Sequence, residues 1–82
     1  MARFYLNLRN RVGVVPDLEG LDLPSETAAR EQAIRNIRSI VSADVQDGLF
    51  DLDGEIEIAG ERGQVVAVVP FADAVRIKGI PE

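Results

Sequence analysis

The stretch "LFDLDGEIEIAG", residues 49 to 60, crowds Asp51, Asp53, Glu55 and Glu57 around one glycine, the densest set of reactive groups in the chain. Carboxylates at alternate positions raise the question of a calcium loop, which requires oxygen ligands at positions 1, 3 and 5, Gly at 6 and Glu at 12. Counted from Asp51, position 6 is Ile56 and position 12 is Arg62, so the template fails twice. Read as a strand, the same carboxylates stand about 6.5–7 Å apart along one face. That is too far for several of them to close on one ion at about 2.4 Å. A bend at Gly54 that brings Asp51 and Asp53 together is the one remaining route to a cation, and neither a metal site nor a cofactor is expected.

The second chemical set is basic. Arg3, Arg9 and Arg11 share parity with Tyr5 and Asn7, an outward strip that could lie on nucleic acid with Tyr5 stacked on a base. The competing reading has these arginines answering the acidic ladder across a sheet. A net charge of −5 favours the ion pairs, because nucleic-acid affinity rests on neutralised phosphates. "GERG", residues 60–63, lacks the length and the Lys of a phosphate loop and precedes a strand, so it reads as a hairpin turn.

With no Cys and no His, the chain offers no zinc site of the usual kind, no thiol nucleophile, no Ser/His/Asp triad and no imidazole switch. Acid–base chemistry would fall to carboxylates, Tyr5 or Lys78, and no paired, buried arrangement of these is visible. No catalytic residue is assigned, and a non-enzymatic protein is expected.

Positioning these groups falls to few elements. "ARFYLNLR" puts Ala2, Phe4, Leu6 and Leu8 on one side and the Arg/Tyr/Asn strip on the other, a half-buried strand. "NRVGVVPDLEG" reads as a loop, turned by Pro16, Asp17 and Gly20, and "GLDLP" as a short second strand with Leu21 and Leu23 inward. Ser25 is the expected N-cap of a helix, with Glu26 placed against its dipole. Ala29, Ala33, Ile34, Ile37, Ile40, Val41 and Val45 then fall within an arc of about 160°. Arg30 and Asp44 interrupt that arc; they read as a snorkelling side chain and a fraying end, or else as a buried polar contact. Glu31 and Arg35 stand at i,i+4, and Gly48 is the C′ residue, with Leu49 or Phe50 folding back.

"FDLDGEIEI" reads as a third strand with Phe50, Leu52, Ile56 and Ile58 inward and its carboxylates outward. "GERG" returns the chain, with Gly63 in the left-handed position of a bulged turn, into "QVVAVVPF", a strand apolar on both faces and ended by Pro70. If Gly60 faces Gln64 across that turn, Ile58 pairs with Val66 and Ile56 with Val68, and Val65, Ala67 and Val69 point away from the helix. A two-residue loop would instead expose Val66 and Val68. In the tail, "FADAVRIKGIPE", Phe71, Val75 and Ile77 are the residues able to pack back, as a helical turn or a ragged strand.

Eighty-two residues are expected to form one domain, 1–82, burying only about 60–65% of the unfolded surface. Acidity is confined to the second half: residues 1–41 hold six Arg against five acids (+1), and residues 42–82 hold three bases against nine acids (−6). "MARFYLNLRNR" alternates polar and apolar residues, so no signal peptide is expected, and the longest apolar run, 65–69, is too short to span a bilayer. A soluble, cytoplasmic protein with no membrane partner follows, in agreement with the lack of Cys.

The opening R-F-Y of "RFYLNLRN", the D-x-E-G of "PDLEG", the L-P of "LDLPS", the A-A-R of "TAAREQAI", then "DLDGEIEI", "GERGQVV" and "VPFADAV", together resemble a group of small bacterial proteins known only as a domain of unknown function. The resemblance covers roughly residues 3 to 76 and rests on Arg3, Phe4, Asp17, Glu19, Gly20, Leu23, Pro24, Ala28 to Arg30, Gly63, Pro70 and Phe71. It implies a compact α+β domain and no assigned reaction. Ser25 stands where that pattern more often has Asp, a conservative change at a cap.

The expected fold is a two-layer α+β domain, β-β-α-β-β, one helix on a mainly antiparallel four-stranded sheet. The last strand takes a central place on the strength of its apolar run. Charge complementarity instead makes the first strand and the acidic strand neighbours. One helix cannot cover both sides of a sheet, so the outward strip of Val65, Ala67 and Val69, flanked by Tyr5 and Asn7, calls for a partner. A small protein-interaction module is expected, self-associating about a twofold axis and meeting a protein partner. The alternative is a nucleic-acid-binding regulator using Arg3, Arg9 and Arg11.

Overall fold

The computed structural model describes residues 1–79, so the last three residues of the expected 1–82 domain and of its tail lie outside it. Strand β1 (Ala2–Asn10) is followed by short strands β2 (Gly13–Val15) and β3 (Leu21–Leu23), helix α1 (Glu26–Gln46), strands β4 (Gly54–Ala59) and β5 (Val65–Pro70), and a 3-10 helix, Phe71–Asp73. One helix lies on an antiparallel sheet of order β2-β1-β4-β5, with β3 also paired to β1. This is the expected α+β architecture with one strand more than predicted. Within "NRVGVVPDLEG", the Asn10 side chain accepts the N–H groups of Val12 and Gly13, turning the chain so that β2 pairs back with Leu8, Arg9 and Asn10.

Charge complementarity proves the better guide to strand order. β1 pairs with β4 from Tyr5↔Ala59 to Asn10↔Gly54, and β5 lies at the edge instead of the centre. Its apolar run has a different cause, which lies in the register of the hairpin. The turn is as predicted: Gly60 N–H donates to the Gln64 carbonyl at 2.8 Å, and Gly63 has φ +79°. Ala59 faces Val65, but Ile58 faces Ala67, so Val66 is an extra residue in a β-bulge. That insertion reverses parity, and Ala67 and Val69, predicted to point outward, are buried against the helix, whereas Val65 and Val68 are 53% and 42% exposed.

Ala29, Ala33, Ile37 and Val41, spaced four apart, are the buried stripe of α1. They pack on Phe4, Ile56, Ile58, Ala67, Val69, Phe71 and Ala74. Ile34 and Ile40 flank that core partly buried, while Val45 is half exposed. Ser25 caps the helix as expected, its hydroxyl accepting Ala28 N–H at 3.1 Å. At the other end Gly48 N–H donates to Val45 O and Leu49 N–H to Asp44 O, both at 2.9 Å, with Gly48 at φ +85°. This pair of hydrogen bonds is the Schellman arrangement. Asp44 therefore sits in a closed last turn, not a frayed one. Arg30 is on the surface, paired with Glu26, and Arg35 donates to Gln32 instead of pairing with Glu31.

Candidate interaction surface

The outward face of the sheet collects most of the predicted site residues. Register places Tyr5 beside Ala59, Asn7 beside Glu57 and Arg9 beside Glu55 on β1 and β4. Beyond them, Val68 stands opposite Glu57 and Pro70 opposite Glu55 on β5, while Val14 stands opposite Arg9 on β2. The centre of the face is charged: Arg9 Nη1 lies 3.3 Å from Glu57 and 3.9 Å from Glu55. Its margins are apolar, with Val14 at one side and Val65, Val68 and Pro70 at the other.

Each arginine of the predicted basic strip is matched by an acid. Arg3 contacts Asp22 through Nε and Nη2, both at 3.1 Å, and donates to the Glu19 carbonyl at 2.6 Å. Arg11 pairs with Asp51. Exposed pairs of this kind stabilise by about 0–1 kcal/mol each, but together they neutralise the charge that would meet a phosphate backbone.

The acidic stretch does not run as one ladder. β4 begins only at Gly54, and Asp51 accepts the Asp53 backbone N–H at 2.8 Å as well as Arg11. Asp51 is thus committed to a turn, and among the described residues no three potential ligands converge on a point that could hold a metal. Gly54 has a packing reason instead of a bend: a Cβ there would lie 3.0 Å from the Arg9 carbonyl and 3.1 Å from the Phe71 ring. An open depression of about 470 Å³ lies at this end of the sheet, lined by Arg9, Asn10, Arg11, Leu52, Asp53, Gly54 and Glu55, its charges balanced two against two.

Asp17 and Gly20 turn the loop as expected, but Asp17 and Glu61 also make long-range bonds that residue spacing did not reveal. β2 and β3 take opposite ends of β1, residues 8–10 and 2–4, leaving an interval between them. Asp17 fills it. Its Oδ2 accepts Leu6 N–H at 3.1 Å, its Oδ1 accepts Gly20 N–H at 3.1 Å, and its own N–H donates to Asn7 Oδ1 at 2.9 Å. Glu61, from the β4–β5 turn, accepts Arg3 N–H at 3.1 Å. Gly20 closes the unit at φ +73°, where a Cβ would come within 2.8 Å of Tyr5 Cε2 and 2.9 Å of Arg3 Cγ. The R-F-Y and D-x-E-G residues thus build one structural joint, and Tyr5 is packed over a glycine.

Among the described residues, no helix is long and apolar enough to cross a membrane. Comparison with curated proteins and with solved structures returns no match. The model of one protein family does match, over residues 3–72, the span that holds the Arg3–Asp17–Gly20 joint, the helix and the β4–β5 hairpin. The chain therefore belongs to the family described as Domain of unknown function (DUF6894).

Proposed function

We propose that this protein is a non-enzymatic, cytoplasmic interaction module that self-associates through β5. The observation that carries the reading is the state of that strand: among the described residues it is paired on one side only, with Val65 and Val68 exposed on the face beside its free edge. A second copy of β5, laid antiparallel about a twofold axis, would continue the sheet and bring the two Val68 side chains together. Pro70 bears no N–H, and the Val66 bulge twists the strand, so both limit open-ended strand addition and favour a closed pair. The non-enzymatic part rests on the lack of His and Cys, on the packing of Tyr5 over Gly20, and on carboxylates already matched with arginines. A cytoplasmic setting accords with a chain free of Cys.

Sedimentation equilibrium tests the reading. A monomer–dimer equilibrium is expected in the micromolar range for the natural chain, and none for Val68→Lys. Monomer alone at high micromolar concentration overturns self-association. Dimerisation that survives Val68→Lys moves the contact away from β5.

A further inference from the structure

Where the chain leaves the 3-10 helix and passes α1, it forms an open depression of about 460 Å³ lined by Arg38, Asp73, Ala74, Val75 and Arg76. Small-molecule sites typically span roughly 300–1,000 Å³. Two of the five lining residues are arginines in a chain of net charge −5. Arg3, Arg9, Arg11 and Arg30 each have a carboxylate partner. Among the described residues Arg35, Arg38, Arg62 and Arg76 have none, and of these four Arg38 and Arg76 line this depression together.

Arg38 is held in a way that suits recognition. Its Nε–H donates to the Ala74 carbonyl at 2.7 Å, which fixes the plane of the guanidinium. The terminal nitrogens have no acceptor among the described residues. A planar guanidinium offers a donor fork that matches the oxygens of a carboxylate or phosphate, and one already oriented loses less freedom when it binds. Buried Ala74 and half-buried Val75 supply an apolar wall beside the two charges.

We propose that this depression binds a small organic oxyanion, a carboxylate or phosphate monoester on a short apolar body, gripped by Arg38 and Arg76 with the body against Val75. Asp73 lies at the same rim and opposes the anion, so its charge tunes the affinity. The site is separate from β5 and does not depend on self-association.

The experiment is an NMR titration of the isotopically labelled chain with phenyl phosphate, benzoate and inorganic phosphate, and with benzamide as a neutral control. At least one of the two aromatic anions is expected to shift the Ala74, Val75 and Arg76 amides and the Arg38 Nε–H saturably. Whichever binds more tightly tells phosphate monoester from carboxylate. Inorganic phosphate should bind more weakly, for want of the apolar contact, and benzamide should leave these signals in place. Arg76→Gln should weaken the aromatic anion about tenfold, the scale of one charge-assisted hydrogen bond, and Asp73→Asn should strengthen it. Arg38→Gln also releases the Ala74 tether, so Arg76→Gln carries the decision. Shifts that grow without saturation, that appear equally around Arg35 and Arg62, or that survive Arg76→Gln unchanged overturn the proposal.

Discussion

Asp17 does with a side chain what a neighbouring strand would do with its backbone. Its carboxylate accepts the N–H groups of Leu6 and Gly20, in the interval that neither β2 nor β3 covers. Asp17→Ala leaves the part-buried Leu6 N–H without a partner, and a loss of about 1–3 kcal/mol is expected in urea denaturation. Asp17→Asn keeps one acceptor oxygen and should lose less. Gly20→Ala meets both a left-handed φ and the Tyr5 ring; strain of this kind costs about 1–3 kcal/mol, read as a lowered midpoint in the same experiment. Asp53→Asn, at an exposed residue, should stay within about 0.5 kcal/mol of the natural chain. Residue spacing made Asp51 and Asp53 the conspicuous carboxylates, yet Asp17 and Glu61 hold the sheet. The local half of Asp17's role, its bond to Gly20 N–H inside the loop, was legible; its hold on Leu6 and that of Glu61 on Arg3 were not, because an acid meets a distant N–H only after the loop's return path is set.

Among the elements, the helix was the most readable. Ser25, the four-residue spacing of Ala29, Ala33, Ile37 and Val41, and Gly48 all stand where local chemistry puts them. Strand β2 was missed because its turn centres on Arg11 and Val12, not on the Asn-Gly type that announces a two-residue hairpin. The place of β5 was misread for a related reason. A run apolar on both faces describes a buried central strand, but also a bulged edge strand whose two faces exchange at Val66. The difference can be tested at adjacent positions. Ala67→Asp buries a charge against α1 and should cost several kcal/mol or abolish folding, whereas Val68→Asp, on the open face, should change monomer stability by less than about 1 kcal/mol. Equal effects at the two sites in thermal melts followed by circular dichroism would contradict the observed register.

At the scale of the whole molecule, 82 residues without Cys hold a small core on an elongated body of 44 × 24 × 19 Å. Stability at this size is modest, so a second copy on β5 should register thermally. The melting temperature is expected to rise with protein concentration, by mass action on the folded state, and Val68→Lys should remove that rise. Calorimetric scans across a hundredfold concentration range measure it. The joint at Asp17 has a further dynamic consequence. Residues 11–23 touch β1 through β2, through Asp17 and through β3, three holds spread along one strand. A flap fastened in this way opens as a single cooperative unit, so in hydrogen exchange the Leu6 amide should report the flap's opening free energy, not the fraying of the sheet's edge.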